Sequence, residues 1–152
     1  MNCLQESLVD NIMDALEIAK EANSMLPPLP PNVKHIHIKL LNAIYRVRDE
    51  TGNARVTDIN KFLHFLLPNT TKFINELHNR GLIEKTAQPT DKRVVLVHTT
   101  ESGEQLIKKC IISYHSKLQQ EFENLGEADC ITMNETIKKI YGIIKRVYKS
   151  DN

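Results

Sequence analysis

The feature that most constrains the fold is a pair of short helical patterns in the middle of the chain. Thr57 offers a hydroxyl cap for the first helix, which Pro68 ends, and Asn69 is typical of the cap of a second helix. Gly81 ends this second helix, which we predict over about residues 69–80. The apolar residues on the inner faces of the two helices are Ile59, Phe62, Leu63 and Leu66, then Phe73, Ile74 and Leu77. Two short helices joined by a tight turn follow from this pattern.

Two strand patterns come directly after the helix pair. Residues 82–86 and 94–98 are rich in apolar and β-branched side chains, which favours strands. Residues 87–93, which contain Pro89, are typical of a turn. We therefore predict a β-hairpin with a long loop.

Longer helical patterns flank this middle segment. A first helix runs from the start of the chain to Leu26, where a proline-rich stretch ends it, and a second covers about residues 33–50. Helices beginning at Thr100 and near Cys130 complete the chain. The first and last helices carry apolar or small residues at alternating spacings of three and four, which is the seam of a helix that packs on another helix. These residues are Leu4, Leu8, Ile12, Ala15, Ala19, Ala22 and Leu26 in the first, and Cys130, Met133, Ile137, Ile140, Ile144 and Val147 in the last.

Composition narrows the class of protein. The 152 residues are 41% apolar, enough for a core, and the net charge is +1, which argues against disorder and against a polybasic tail. The longest apolar run is Val94 to Val97, too short to cross a membrane. Three cysteines, with no C-x-x-C pair, suit a reducing compartment, so a cytoplasmic protein is expected. Cys110 and Cys130 lie on helix stripes and are expected in the core, whereas a redox role for Cys3 has no neighbouring cation to support it.

The order of elements is that of a winged helix-turn-helix, with one helix for the major groove and a hairpin for the neighbouring backbone or minor groove. Charge supports this placement, because residues 55–93 carry seven basic and four acidic side chains, whereas residues 1–54 carry five and seven. The fold class we predict is mainly α with a small β-hairpin. A winged helix-turn-helix over residues 33–110 would be flanked by dimerisation helices over 1–26 and 100–149, in one continuous domain.

Several motifs in this order resemble those of the MarR family of transcriptional regulators. The similar segments are Thr57 to Ile59, Asn69 to Lys85, Pro89 to Arg93 and Thr99 to Gly103. The Asp-Lys-Arg wing followed by Thr-x-x-Gly is the most specific of them. The resemblance implies a homodimer that binds a near-palindromic operator in double-stranded DNA and often responds to a small molecule. Glu76 departs from the family, which commonly has a basic residue there.

The candidate DNA contacts fall on the second short helix and on the hairpin. They are Asn69, Thr70, Thr71, Lys72, Asn75 and Arg80, then Lys92 and Arg93. Amides and hydroxyls read base edges, while cations hold phosphates. The alternatives are a solvated polar helix face and a surface turn closed by an Asp91–Arg93 pair.

A second, weaker candidate is the ligand pocket that the resemblance implies between the dimerisation helices and the winged module. Its border would be His35, Tyr45, Tyr114 and His115, and ordinary packing of half-buried aromatic residues is the alternative. His35 and His37 point to different faces of a helix, which favours structural histidines over a metal site.

The sequence contains no Gly-rich phosphate loop, no H-E-x-x-H and no G-x-S-x-G. We therefore expect neither an enzyme nor a bound cofactor or metal. The leading interpretation is a DNA-binding regulator. The alternative is a winged-helix module that binds a protein partner, motivated by Glu76 and by the near-neutral charge.

Overall fold

The computed structural model describes residues 7–63 and 69–151, and over these ranges the chain is mainly helical with one small sheet. The helices are α1 (Leu8–Ser24), α2 (His35–Val47), α3 (Val56–Phe62), α4 (Thr70–Asn79), α5 (Glu101–Ile107), α6 (Ser113–Phe122) and α7 (Glu127–Ser150). A π-helical segment (Lys108–Ile112) joins α5 to α6, and a 3₁₀ turn (Glu123–Leu125) precedes α7. The strands are β1 (Ala54–Arg55), β2 (Ile83–Gln88) and β3 (Asp91–Thr99). The predicted fold class is confirmed.

The core forms around α2, which is the most buried helix of the described chain. Its apolar residues recur every three or four positions, so one face turns inward, and six of its thirteen residues are buried. Contacts with α3, α4, α5 and β1 surround it. The helix ends at Val47, three residues before the predicted end. The chain turns there because the carboxylate of Asp49 accepts hydrogen bonds from the backbone N–H groups of Thr51 and Asn53. Gly52 has a positive φ in this turn rather than at the helix end.

The sheet is antiparallel in the order β1-β3-β2. Ala54 of β1 pairs with Val97, and both are buried. This short strand was missed by the sequence analysis, because two residues show no alternation.

The hairpin differs from its prediction. Its strands extend to Gln88 and from Asp91, so that only Pro89 and Thr90 lie between them, and the long loop predicted over 87–93 is wrong. Most side chains near the tip are exposed on both faces, so the sequence there lacks the alternation that marks a half-buried strand. A register shift between Ala87 and Gln88 marks an irregular pairing near the tip.

The helix pair is close to its prediction. Helix α3 begins at Val56, one residue before the predicted cap Thr57, and its first turn has no side-chain cap. Asn69 does occupy the cap position of α4, without a side-chain hydrogen bond. Gly81 follows α4 with a positive φ, as expected. The predicted inner residue Leu66 and the predicted stop Pro68 lie outside the described residues, as do Cys3 and Leu4.

Contacts divide the chain into two compact units, the first ending at Tyr114 and the second beginning at His115. The first unit contains the core, including Cys110, whose thiol pKa is raised by burial. It also contains α1, in which no residue is buried.

The second unit is built mainly of α7, whose seam residues Ile137, Ile144 and Val147 are exposed. Cys130, expected in the core, is exposed as well, because α7 has no buried residue in the second unit. None of the helices within residues 7–63 and 69–151 is long and apolar enough to span a membrane.

Candidate nucleic-acid interface

Helix α4 has one buried and one exposed face. Ile74 and Leu77 are buried, while Thr71, Lys72 and Asn75 are exposed on the other side. His78 and Asn79 continue the exposed face and were not among the predicted contacts. They are found by extending the three-and-four spacing from Asn75. The exposed face therefore presents hydroxyl, amide, imidazole and ammonium groups on a helix anchored in the core.

Thr70 differs from the other predicted contacts of α4 because its side chain is buried. Its hydroxyl donates to Oδ1 of Asn60 at 2.8 Å, which ties the start of α4 to α3. Both residues line an open cleft of about 250 Å³ at this end of the helix pair. The geometry gives Thr70 a positioning role, so we remove it from the predicted set of direct DNA contacts.

A buried histidine connects α4 to α2. His37 is fully buried; its Nδ1 accepts the backbone N–H of Lys34 at 3.0 Å, and its Nε2 lies 2.8 Å from Glu76 Oε2. Because Nδ1 is an acceptor, the ring is the neutral tautomer that donates from Nε2. This hydrogen bond holds the pKa of Glu76 below its ordinary value of 4.5, and the charges of Lys34 and Lys72 act in the same direction. The acidic residue that departs from the family is thus a structural link in this chain.

The hairpin carries the predicted Asp91–Arg93 pair. The Asp91 carboxylate accepts hydrogen bonds from the backbone N–H, Nε and Nη2 of Arg93 at 3.0, 3.2 and 3.4 Å. The side-chain bond is the main cause that lowers the pKa of Asp91, and the backbone bond adds to it. The side chain of Arg93 remains 91% exposed, and Lys92 is exposed beside it. Both cations are accessible to a phosphate or a groove.

The base of the hairpin is joined to two helices. Glu104 of α5 accepts hydrogen bonds from Arg48, which follows α2, and from Thr99 at the end of β3. The Thr99 bond is the largest cause that lowers the pKa of Glu104, and Arg48 acts in the same direction. Thr100 caps α5 by accepting the Gly103 N–H at 3.2 Å and donates to the carbonyl of Gly81 at 2.6 Å. The Thr-x-x-Gly motif therefore fixes the hairpin against the end of α4.

The four residues of the predicted ligand pocket are dispersed over the two units. In the first unit, His35 is exposed, Tyr114 is half-buried, and half-buried Tyr45 has the guanidinium of Arg48 4.8 Å from its ring centroid. His115 belongs to the second unit and is exposed. The pocket stays a prediction. Across residues 7–63 and 69–151, no cluster of three or more His, Cys, Asp and Glu side chains is arranged to hold a metal ion.

Comparison with known proteins gives a family match over part of the chain. Residues 44–95 match the MarR family model. The HTH-type transcriptional regulator YsmB of Bacillus subtilis (strain 168) is 24% identical over 97 residues, which are 64% of this chain and 66% of YsmB. The match thus spans just under two thirds of that relative.

Solved structures share the fold. A MarR mutant from E. coli complexed with operator DNA superposes with a TM-score of 0.63 at 21% identity, covering 89% of this chain and 99% of the other. Bordetella bronchiseptica BpsR, whose DNA binding is regulated by 6-hydroxynicotinic acid, gives 0.59 at 19% identity, covering 86% and 98%. The helix pair and the hairpin lie largely within residues 44–95, so the segment that is similar to the MarR family model is the one that folds as a winged helix-turn-helix.

Proposed function

We propose that this protein is a dimeric, sequence-specific DNA-binding transcriptional regulator of the MarR type, working in the cytoplasm. The observation that carries the proposal is the exposed polar face of α4, presented by a buried core next to a hairpin with two accessible cations. An α-helix with its side chains is about 10–12 Å across, close to the roughly 12 Å width of the major groove. Helix α4 would enter this groove, while the hairpin reaches the minor groove or the backbone.

The candidate contacts divide by chemistry. Thr71 and Asn75 carry groups that read base edges, whereas Lys72, Arg80, Lys92 and Arg93 carry charges that hold phosphates. All six side chains are exposed. Asn69 is exposed at the cap of α4 and completes the set.

A small-molecule effector is part of this proposal. BpsR, which shares the fold, is regulated by 6-hydroxynicotinic acid. The candidate pocket residues remain His35, Tyr45, Tyr114 and His115. Chemical-shift mapping with a series of aromatic acids tests them, and an absence of perturbation at all four would remove the pocket.

The protein-interaction alternative loses its main support in the structure. It rested on Glu76, which would oppose DNA in an otherwise polar helix, and on the near-neutral charge of the chain. Glu76 is engaged by His37, so its presence is explained by packing of α4 on α2. We therefore propose DNA binding alone.

Binding to DNA is tested with an electrophoretic shift assay on the DNA that flanks the gene of this protein. If Lys72, Arg80, Lys92 and Arg93 of both subunits meet phosphates, the dimer neutralises roughly six to eight charges, and log K should fall with log salt at a slope of about −6. Lys72→Ala should weaken binding to every sequence, and Lys138→Ala on α7 is the matched control, expected to leave the slope unchanged. No retention at low salt, or a flat salt response, would contradict the proposal.

A further inference from the structure

Asn75, at the centre of the exposed face of α4, is held by a neighbouring strand. Nζ of Lys85 lies 2.6 Å from Oδ1 of Asn75. Lys85 is two residues after the buried Ile83 in β2 and therefore lies on the same face of the strand, toward α4. Both side chains are exposed to solvent. The helix and the hairpin thus share one polar contact on the surface that we assign to DNA.

The chemistry of lysine fixes the orientation of this amide. A lysine ammonium has three donors and no acceptor, so only the oxygen of Asn75 can meet it. The Nδ2 hydrogens are then the half of the amide available to a ligand. An unrestrained asparagine offers an acceptor and a donor together, which is the pattern that recognises adenine through N6 and N7. Lys85 takes one lone pair of that acceptor and places a positive charge beside it, which disfavours the approach of a base donor such as adenine N6.

We propose that Asn75 and Lys85 form a donor-only reading element that selects a guanine in the major groove. Guanine presents two neighbouring acceptors there, N7 and O6, and the Nδ2 group can donate to either of them. Adenine is disfavoured because its N6 donor would face the amide hydrogens, which are also donors. Cytosine is disfavoured because it offers only a donor, N4. Thymine has one acceptor, O4, and a methyl group in place of the second. Lys85 is a positioning residue in this element, and the inference rests on the proposed function.

The experiment begins by selecting preferred sites for the full-length protein from randomised duplex DNA. The base pair that Asn75 reads is the position of the site at which Asn75→Ala no longer prefers one base over the others. At that pair, the wild type should prefer guanine over adenine by about fivefold or more. In Lys85→Met the amide is free to rotate, and the preference at this pair alone should fall to within about twofold.

Two controls separate positioning from simple charge. Lys92→Met removes the same charge from the hairpin and should weaken binding without changing the base preference. In the Asn75→Ala background, Lys85→Met should have no further effect on preference, because coupled residues are not additive. Without DNA, the Asn75 side-chain NH₂ resonances of an isotope-labelled sample should shift in Lys85→Met and stay unchanged in Lys92→Met.

The outcomes are distinct. A wild-type chain that enriches no sequence contradicts the proposed function and the base reading together. An enriched site whose preference survives Lys85→Met contradicts only the reading element. Equal weakening of all four bases by Lys85→Met assigns Lys85 to a phosphate and also overturns it.

Discussion

The imidazole of His37 joins two helices through both of its nitrogen atoms. One nitrogen accepts the Lys34 backbone N–H at the start of α2, and the other donates to Glu76 on α4. Because the ring is fully buried, a substitution leaves the Lys34 N–H without its acceptor and Glu76 without its donor. This side chain is therefore one of the contacts that position the candidate recognition helix, beside the buried Ile74 and Leu77.

We expect His37→Phe, which keeps most of the ring volume, to lower the free energy of unfolding by about 1–3 kcal/mol, the cost of unsatisfied buried polar groups. His35→Phe, on the exposed side of the same helix, is the matched control and should change stability little. Chemical denaturation of both variants measures the difference. Equal stabilities would show that the two hydrogen bonds contribute nothing.

The Glu76 link also predicts a pH dependence. Its pKa is lowered in the folded chain, so the carboxylate stabilises the fold above its ordinary value of 4.5 and loses this effect as pH falls through the lower folded pKa. The stability difference between wild type and Glu76→Gln should therefore be present at neutral pH and shrink below about pH 4.5. Denaturation across this range checks the trend. A difference that grows in acid would contradict the assignment.

The sequence predicts which side of α4 is buried, but it does not predict the hydrogen-bond partners of the polar residues on that helix. The buried side of α4 follows from apolar spacing, so Ile74 and Leu77 were assigned correctly. The role of Glu76 was missed, because its partner lies 39 residues away and no local pattern connects them. The burial of Thr70 was missed for the same reason, since Asn60 belongs to the preceding helix.

At the scale of elements, Gly103 sets how closely α5 approaches β2. A Cβ atom at this position would overlap the backbone carbonyl of Leu82, which cannot move without shifting the start of the strand. We expect Gly103→Ala to lower the free energy of unfolding by about 1–3 kcal/mol through overpacking. Thermal denaturation measures the change.

The matched control for Gly103 is Gly142 in α7, where an added Cβ meets nothing within 4 Å. Gly142→Ala should stabilise that helix by about 0.5–1 kcal/mol, the cost of glycine relative to alanine in a helix. Both variants gain the same methyl group and the same helix propensity. Similar effects of the two would refute the close approach.

The helices were predictable as elements and the hairpin only in part. Apolar spacing located α2 and α4 to within a few residues, because each buries one continuous face. The outer half of the hairpin has no buried face to impose alternation, so its strands were predicted too short. Strand β1 exists only through its pairing with β3, which is a tertiary contact.

At the scale of the whole molecule, the first and the last helix of the described residues 7–63 and 69–151 each carry apolar residues that are not buried. Helix α1 has no buried residue, and on α7 the side chains of Ile137, Ile144 and Val147 are 41%, 47% and 54% exposed. The spacing of these residues was predictable from sequence. The partner surface that covers these residues was not predictable, because a seam that packs within one chain and a seam that packs between two chains have the same pattern.

The dimer in the proposed function would supply that cover. Burying each such side chain fully contributes roughly 1.5–3 kcal/mol, and a two-fold axis counts every residue twice. The same symmetry would present two α4 helices about 34 Å apart, one turn of DNA. Ile137→Glu with Ile144→Glu would place like charges in the apolar seam, so we expect monomers that bind operator DNA far more weakly while the first unit stays folded.

Analytical ultracentrifugation with circular dichroism measures assembly and folding of this variant separately. Lys138→Gln with Arg146→Gln is the matched control, because it changes the net charge by the same amount on the opposite side of α7, and it should remain dimeric. An unmodified chain that sediments as a monomer at tens of micromolar would contradict the dimer. A near-palindromic operator would then have no physical basis, since one recognition helix reads one half-site and only a second subunit can read its symmetric copy.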